Sequence, residues 1–218
     1  MSESRPPEPS IWTWSLREFL DRTVSEDPTP GGGSVAAAAG AFGLGLVMMA
    51  LEISARKAHP EQQQLISARL ERARPLLNRI RESADEDIVA FRAYMAALGL
   101  PKSTDEEKSA RREALRAALL VATEAPLAAG RALLEALEIA RDAADLSSSH
   151  LVSDAGAGAA LLGGALSAVL LNVDVNAASI RDEALRQQVV VERQNLKQAG
   201  DALAAEALSR TAGRIGEK

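Results

Sequence analysis

The chain has no cysteine. That excludes disulfides, thiolate metal sites and a cysteine nucleophile. Histidine is almost as scarce. His59 and His150 lie far apart and form no HExxH or paired-histidine motif, so no metal site is expected. Aromatic residues make up only 3% of the sequence, and β-branched residues are few as well. An excess of basic charge is also missing. The formal net charge is −5, and no basic stretch interleaves with aromatics. Nucleic acid is therefore not an expected partner. The opening residues, MSESRPPEPS, lack the basic-then-apolar pattern of a signal peptide, and a cytoplasmic location is expected.

Alanine and leucine take the place of what is missing. Apolar residues are 47% of 218, too many for a disordered chain and enough for one domain with a real core. A core of Ala and Leu favours closely packed helices. Two charge-free runs, 35–51 and 155–173, approach membrane-spanning length. Both are rich in Ala and Gly rather than Leu and Ile, and the rest of the chain reads as amphipathic helices. They are expected as buried central helices, not membrane spans. The expected fold is all-α, a multi-helix bundle with two central Gly/Ala-rich helices surrounded by long amphipathic ones. It forms a single domain over 10–218, behind a Pro-rich disordered tail over 1–9.

Residues 10–24 predict a short amphipathic helix docked by Trp12, Trp14 and Phe19. PTPGGGS follows at 28–34. Three consecutive glycines are costly to order. Either something approaches that backbone closely, or the run is a tight turn with Ser34 near an N-cap. A glycine turn that opens a helix presents unpaired N–H groups and the positive end of the dipole. That is a receptor for an anion or a carbonyl. The helix from Ser34 ends near Lys57, and Pro60 opens the next. There apolar residues recur in steps of three and four from Ile66 to Leu98, with Pro75 expected to kink or divide the run. After a stop at Gly99, Ser103 and Glu106 have capping-box spacing. Pro126 is expected to bend or restart that helix. Ser153 and Asp154 can cap the second central helix, where Gly156, Ala160, Gly164 and Ala168 recur every four residues. That stripe would let the other central helix come close. A last amphipathic helix covers 181–212.

One carboxylate breaks the apolar pattern. At about 100° per residue, Asp87 projects beside Ile80 and Phe91, while Glu86 points away and Asp85 lies off the face. An acid there must be paired, hydrogen-bonded or protonated. Desolvation raises its pKa, which suits proton transfer near neutral pH. The plainer alternative is an edge-of-core Asp bonded to an Arg or a helix terminus. Asn172 and Asn176 share a face at i, i+4, and either meet a planar heterocycle or cap the helix end. Lys57 suits a helix C-terminus, or faces an anionic ligand.

Several of these pieces occur together and in order. They are PTPGGGSVAA at 28–37, Asp85-Glu86-Asp87 ahead of Ala90-Phe91, Leu100-Pro101-Lys102 before an acidic stretch, Ser153-Asp154, and NVDVN at 172–176. In this ordered set, over residues 14–190, the chain resembles the cyclodeaminase/cyclohydrolase family. That family comprises the cyclodeaminase domain of formiminotransferase-cyclodeaminase and stand-alone methenyltetrahydrofolate cyclohydrolases. The resemblance implies an all-α fold, a homodimer or higher homo-oligomer, and a tetrahydrofolate derivative held among the helices. No cofactor beyond that substrate is implied. Asp87 matches the family's acid/base. The resemblance assigns Pro30, Gly31, Gly32, Gly33, Ser34, Phe91, Asp154, Asn172 and Asn176 to folate binding. Lys57 and Lys102 are candidates for the folate's glutamate tail. The expected activity is hydrolysis of 5,10-methenyltetrahydrofolate to 10-formyltetrahydrofolate. The alternative is cyclodeamination of 5-formiminotetrahydrofolate, and a third is a non-catalytic folate-binding or assembly protein. No formiminotransferase domain, and so no channelling between fused domains, is expected. One departure stands out: Ser147-Ser148 and His150 occupy places where the family usually has Gly-Asn and a further Asn.

Overall fold

Steps of three and four between apolar residues become long helices. The computed structural model describes residues 10–216; the tail over 1–9 lies outside them. A 3₁₀ turn at Ile11–Thr13 precedes six helices: α1 (Leu16–Thr23), α2 (Gly32–Ala55), α3 (Pro60–Leu98), α4 (Asp105–Leu146), α5 (Val152–Ala177) and α6 (Glu183–Arg214). No strand occurs among the described residues. Short turns join α2 through α6, so consecutive helices run antiparallel. α2 packs on α3 and α5, and α4 packs on α3, α5 and α6. Leu44, Leu51, Ile80, Leu133, Leu137 and Leu166 are buried where these helices meet.

Local chemistry sets the ends. Ser10 accepts from the Trp12 amide and Ser15 from the Glu18 amide, so residues 10–24 form two capped segments rather than one helix. Trp12 ties the first segment to α3 by donating its indole N–H to the Arg81 carbonyl at 2.9 Å. His59 caps α3, with Pro60 in its first turn. The capping box of α4 pairs Thr104 with Glu107, one residue later than the Ser103–Glu106 spacing. The Glu107 carboxylate accepts from both the Ser103 and Thr104 amides, which draws it into that register. No side chain caps α5; Ser153 and Asp154 lie inside its first turn.

Neither internal proline divides its helix. Pro75 lies on the exposed side of α3, where the carbonyl it leaves unpaired can meet water. Pro126 is buried within α4 and has a different consequence, described below.

α2 and α5 are the central pair. Their closest approach is at Gly43 and Gly158. A Cβ on Gly158 would stand 2.5 Å from the Gly43 carbonyl oxygen, and one on Gly43 would stand 2.9 Å from that of Gly158. The stripe expected to make this contact does not. Gly156 faces Thr211 of α6, and Gly164 faces open space. α5 is rich in small residues on every side, so a four-residue period alone cannot select the contacting side. α2, α4 and α5 are each long and apolar enough to cross a membrane by length and composition. In this bundle 61% of the apolar window of α2 and 50% of that of α5 is buried inside the protein.

α3 and α4 have 39 and 42 residues, against 24 and 26 for α2 and α5. Their hairpin therefore overhangs the end of the bundle where α2 begins and α5 finishes.

Candidate active site

Beneath that overhang the glycine run opens α2. The Thr29–Pro30 peptide is cis. Gly31 is the N-cap, and no side chain caps this end. Ser34 is therefore not the cap but lies inside the first turn. Its hydroxyl turns away to the Ala84 carbonyl of α3 at 2.8 Å. The amides of Gly32 and Gly33, in the first turn, have no intrahelical acceptor. Both residues line a cavity of about 390 Å³. That size suits a small organic ligand.

Asp87 reaches this end from α3. Its Oδ2 accepts from the Ser34 amide at 3.0 Å and lies 3.1 Å from Ser34 Oγ. The Asn172 side-chain amide of α5 donates to its Oδ1 over a long 3.5 Å. A Cβ on Gly33 would stand 2.1 Å from Asp87 Oδ1 and 2.5 Å from Asn172 Nδ2. The carboxylate and the amide are what approach the glycine backbone. Left-handed φ is not the reason for the run, since Gly216 is the one residue with positive φ among those described.

Burial pushes the Asp87 carboxyl above the usual carboxylate range, and the two Ser34 hydrogen bonds oppose this without cancelling it. No arginine or lysine pairs with it in this site. Ser34 Oγ has one proton and two oxygen neighbours, the Ala84 carbonyl and Asp87. When Asp87 is ionised the proton can be shared with it. When Asp87 is protonated, it can donate to Ser34 while Ser34 donates to the carbonyl. The pair accommodates both states, as a proton-transfer group requires. Asp85 is committed elsewhere: it accepts from Ser10 Oγ at 2.6 Å and the Ile11 amide at 2.9 Å, tying down the N-terminal segment. Glu86 faces solvent.

Pro126 places the second asparagine. Lacking an N–H, it leaves the Ala122 carbonyl of α4 without its intrahelical donor. Asn176 Nδ2 donates to that carbonyl at 2.7 Å. The bond orients the Asn176 amide at the cavity wall. Neither asparagine caps α5, whose last carbonyls are met by the Ala178 amide. Phe91, Tyr94, Met95 and Val175 supply apolar wall.

The structure thus brings Gly31, Gly32, Gly33, Asp87, Phe91, Asn172 and Asn176 to one cavity, with Ser34 behind Asp87 and Pro30 within the loop. Three further sequence candidates lie away from it. Lys57 follows α2 at its far end, about 36 Å along the helix from Gly32. Asp154 lies at the start of α5, on that same far side. Lys102 is exposed in the turn at the tip of the α3–α4 hairpin. The Ser147–Ser148 departure also sits at the far end, where the Ser148 amide donates to Ser54 of α2 at 2.8 Å. It does not reach this cavity. Tyr94 and Pro126 are site residues beyond the candidates. Tyr94 was legible in principle, being seven residues and two turns after Asp87 on one helix face. Among the described residues no group of three or more His, Asp or Glu is placed to hold a metal ion.

Residues 15–195 match the family model described as formiminotransferase-cyclodeaminase. A methenyltetrahydrofolate cyclohydrolase of Methylorubrum extorquens is 36% identical over 190 residues, covering 87% of this chain and 91% of that one. A formimidoyltransferase-cyclodeaminase of Sus scrofa is 30% identical over 213 residues, 95% of this chain but 39% of the pig protein. The crystal structure of a formiminotetrahydrofolate cyclodeaminase from Thermotoga maritima superposes with a TM-score of 0.83 at 24% identity, over 93% of this chain and 98% of that one. That likeness shows the shared all-α fold.

Proposed function

Because this chain belongs to the formiminotransferase-cyclodeaminase family, we propose that its cavity is the active site of a tetrahydrofolate one-carbon enzyme that hydrolyses 5,10-methenyltetrahydrofolate to 10-formyltetrahydrofolate. The observation that carries this reading is a single desolvated carboxylate, Asp87, at a ligand-sized cavity beside two free helix-opening amides and two oriented asparagines. The 36% identical cyclohydrolase, matched over nearly its whole length, favours this reaction.

The chemistry follows from the residues. The methenyl carbon is already electrophilic, so the protein's task is to position water and move protons. Asp87 takes a proton from the water as its oxygen bonds to that carbon. It returns the proton to N5 as the C–N5 bond breaks, and the carbinol proton leaves for solvent. Its raised pKa brings it nearer neutrality, where such transfer is efficient. The Gly32 and Gly33 amides can donate to a pterin carbonyl. The Asn172 and Asn176 amides complement the heterocycle's donors and acceptors, and Phe91 contacts its face. Nothing in this reading calls for a cofactor besides the substrate.

Membership of a family that includes formimidoyltransferase-cyclodeaminases favours a second reading. There N10 attacks the formimino carbon of 5-formiminotetrahydrofolate, and Asp87 protonates the departing ammonia.

We also infer a homodimer or higher homo-oligomer. Phe42, Met49 and Ile53 of α2 and Leu161, Leu171 and Val175 of α5 are large apolar side chains left exposed on the two central helices. Val175 also lines the cavity, so a second copy seated there would border the site. Sedimentation equilibrium should return at least twice the monomer mass; a monomer at working concentration refutes this.

The deciding experiment follows the methenyl absorbance with wild type and Asp87→Asn. Decay faster than the spontaneous rate, slowed about 10²–10⁴-fold in the variant, is expected. Wild-type turnover in the variant refutes the role of Asp87. Activity on the 5-formimino substrate alone selects cyclodeamination, and activity on neither leaves a binding protein.

A further inference from the structure

α3 holds the glycine run from both ends. At one end Asp87 accepts from the Ser34 amide at 3.0 Å. At the other, Arg92 Nη2 donates to Thr29 Oγ1 at 3.0 Å, across 63 residues of sequence. Arg92 follows Asp87 by five residues, about 7.5 Å along α3. The bonds within the loop that precedes α2 are local. Ser25 Oγ accepts from the Asp27 amide at 3.2 Å. Asp27 Oδ1 accepts from the Thr29 amide at 3.0 Å and from Thr29 Oγ1 at 3.1 Å. Glu26, Asp27 and Pro28 are exposed, yet Thr29 is only 7% exposed.

Chemistry fixes the direction of these bonds. Those from Thr29, first its amide and then its hydroxyl, hold the Asp27 carboxyl below the usual carboxylate range. Asp27 is therefore ionised at neutral pH and can only accept, while a guanidinium can only donate. The Thr29 hydroxyl must give its proton to Asp27 and present a lone pair to Arg92. Both neighbours are charged, which makes such bonds stronger than neutral ones. Serine could make the same two bonds; valine, of the same shape, could make neither. Thr29 lies three residues before Gly32 and lines the same cavity, whereas Arg92 stands outside that lining. Three consecutive glycines are costly to order, and the two ties from α3 bracket them. We propose that Asp27, Thr29 and Arg92 form a clamp that positions the Gly32 and Gly33 amides for the substrate, with Arg92 a positioning residue that acts through Thr29. The clamp rests on the folate reading of the cavity. Asp87 is placed by α3 and by Ser34, so the clamp governs substrate binding rather than proton transfer.

The test uses Thr29→Val, Thr29→Ser and Arg92→Gln beside wild type. It measures initial rates on 5,10-methenyltetrahydrofolate, and amide hydrogen exchange at Ser34 in the ligand-free protein. Releasing one end of the run loosens the first turn of α2. Thr29→Val and Arg92→Gln should raise KM roughly three- to tenfold and speed Ser34 exchange by a similar factor, the loss of about one charge-assisted hydrogen bond. Their kcat should stay within about twofold of wild type, with its pH profile unmoved, because binding and not the chemical step is weakened. Thr29→Ser should return both readouts to near wild type, which separates the clamp from lost packing. Arg92 is half-buried, so Arg92→Gln tests the clamp even where Thr29→Val fails to fold. Wild-type KM and wild-type Ser34 exchange in Arg92→Gln would overturn the clamp and leave the reading of the cavity standing. A fall in kcat at unchanged KM would overturn it too, since the loop would then act through Asp87. If wild type neither binds nor converts the substrate, the folate reading falls and the clamp's role in binding falls with it.

Discussion

The glycine run makes its sharpest prediction at Gly33. Gly33→Ala adds one carbon at a point 2.1 Å from Asp87 Oδ1 and 2.5 Å from both Asp87 Cγ and Asn172 Nδ2. Ordinary contact at such a carbon begins near 3.4 Å, so the carboxylate must retreat by more than 1 Å. That retreat cannot keep the 3.0 Å bond from the Ser34 amide, because the same helical turn carries both the new methyl and the donor. A misplacement of this size in a reacting group costs about 10²-fold in rate. The fold pays less, about 1–3 kcal/mol, since the obstacle is a side chain at a cavity edge that can move into open space. Gly32→Ala is the control. Nothing lies within 4 Å of its new carbon, so its stability should stay within about 0.5 kcal/mol of wild type. The assay is initial methenyl decay alongside thermal melts of all three proteins. Wild-type kcat/KM in Gly33→Ala, with the fold intact, would refute the claim that this glycine exists to admit the acid.

Other outcomes follow from the same site. Asp87→Asn should lose turnover yet gain stability relative to wild type as pH rises. A carboxyl whose folded pKa is raised contributes stability below its unfolded pKa near 3.8 and loses it as pH climbs through the folded value, a loss the amide does not share. Melts of both proteins between pH 3 and 8 should therefore diverge upward, and parallel curves would contradict the burial argument. Pro126→Ala should restore a backbone donor to the Ala122 carbonyl and displace Asn176 from it. Stability should rise by about 1–3 kcal/mol while KM rises about tenfold, and an unchanged KM would show that this carbonyl does not position Asn176.

The parts of this protein that a sequence discloses are those governed by local rules. The apolar steps along α3 mark its buried face, and Asp87 is visible because it intrudes on that face. The glycine run and the asparagine pair are visible because each is costly without a partner. What stays hidden is how the partners meet. Gly156 and Gly158 are equivalent in a sequence, yet Gly158 meets α2 while Gly156 meets α6. Lys57 and Asp154 are candidates from the sequence but lie a helix length away from the site, because antiparallel connection puts the end of α2 and the start of α5 together at the other pole. Pro126 reads as a break in a helix. In the fold it is the reason a carbonyl is free 54 residues before the asparagine that takes it. Its cost to α4 is local, and its return is an oriented amide on another helix. A helix-breaking residue kept inside a continuous, buried helix is therefore itself a pointer to a site, provided the carbonyl four residues earlier is traced to its new donor.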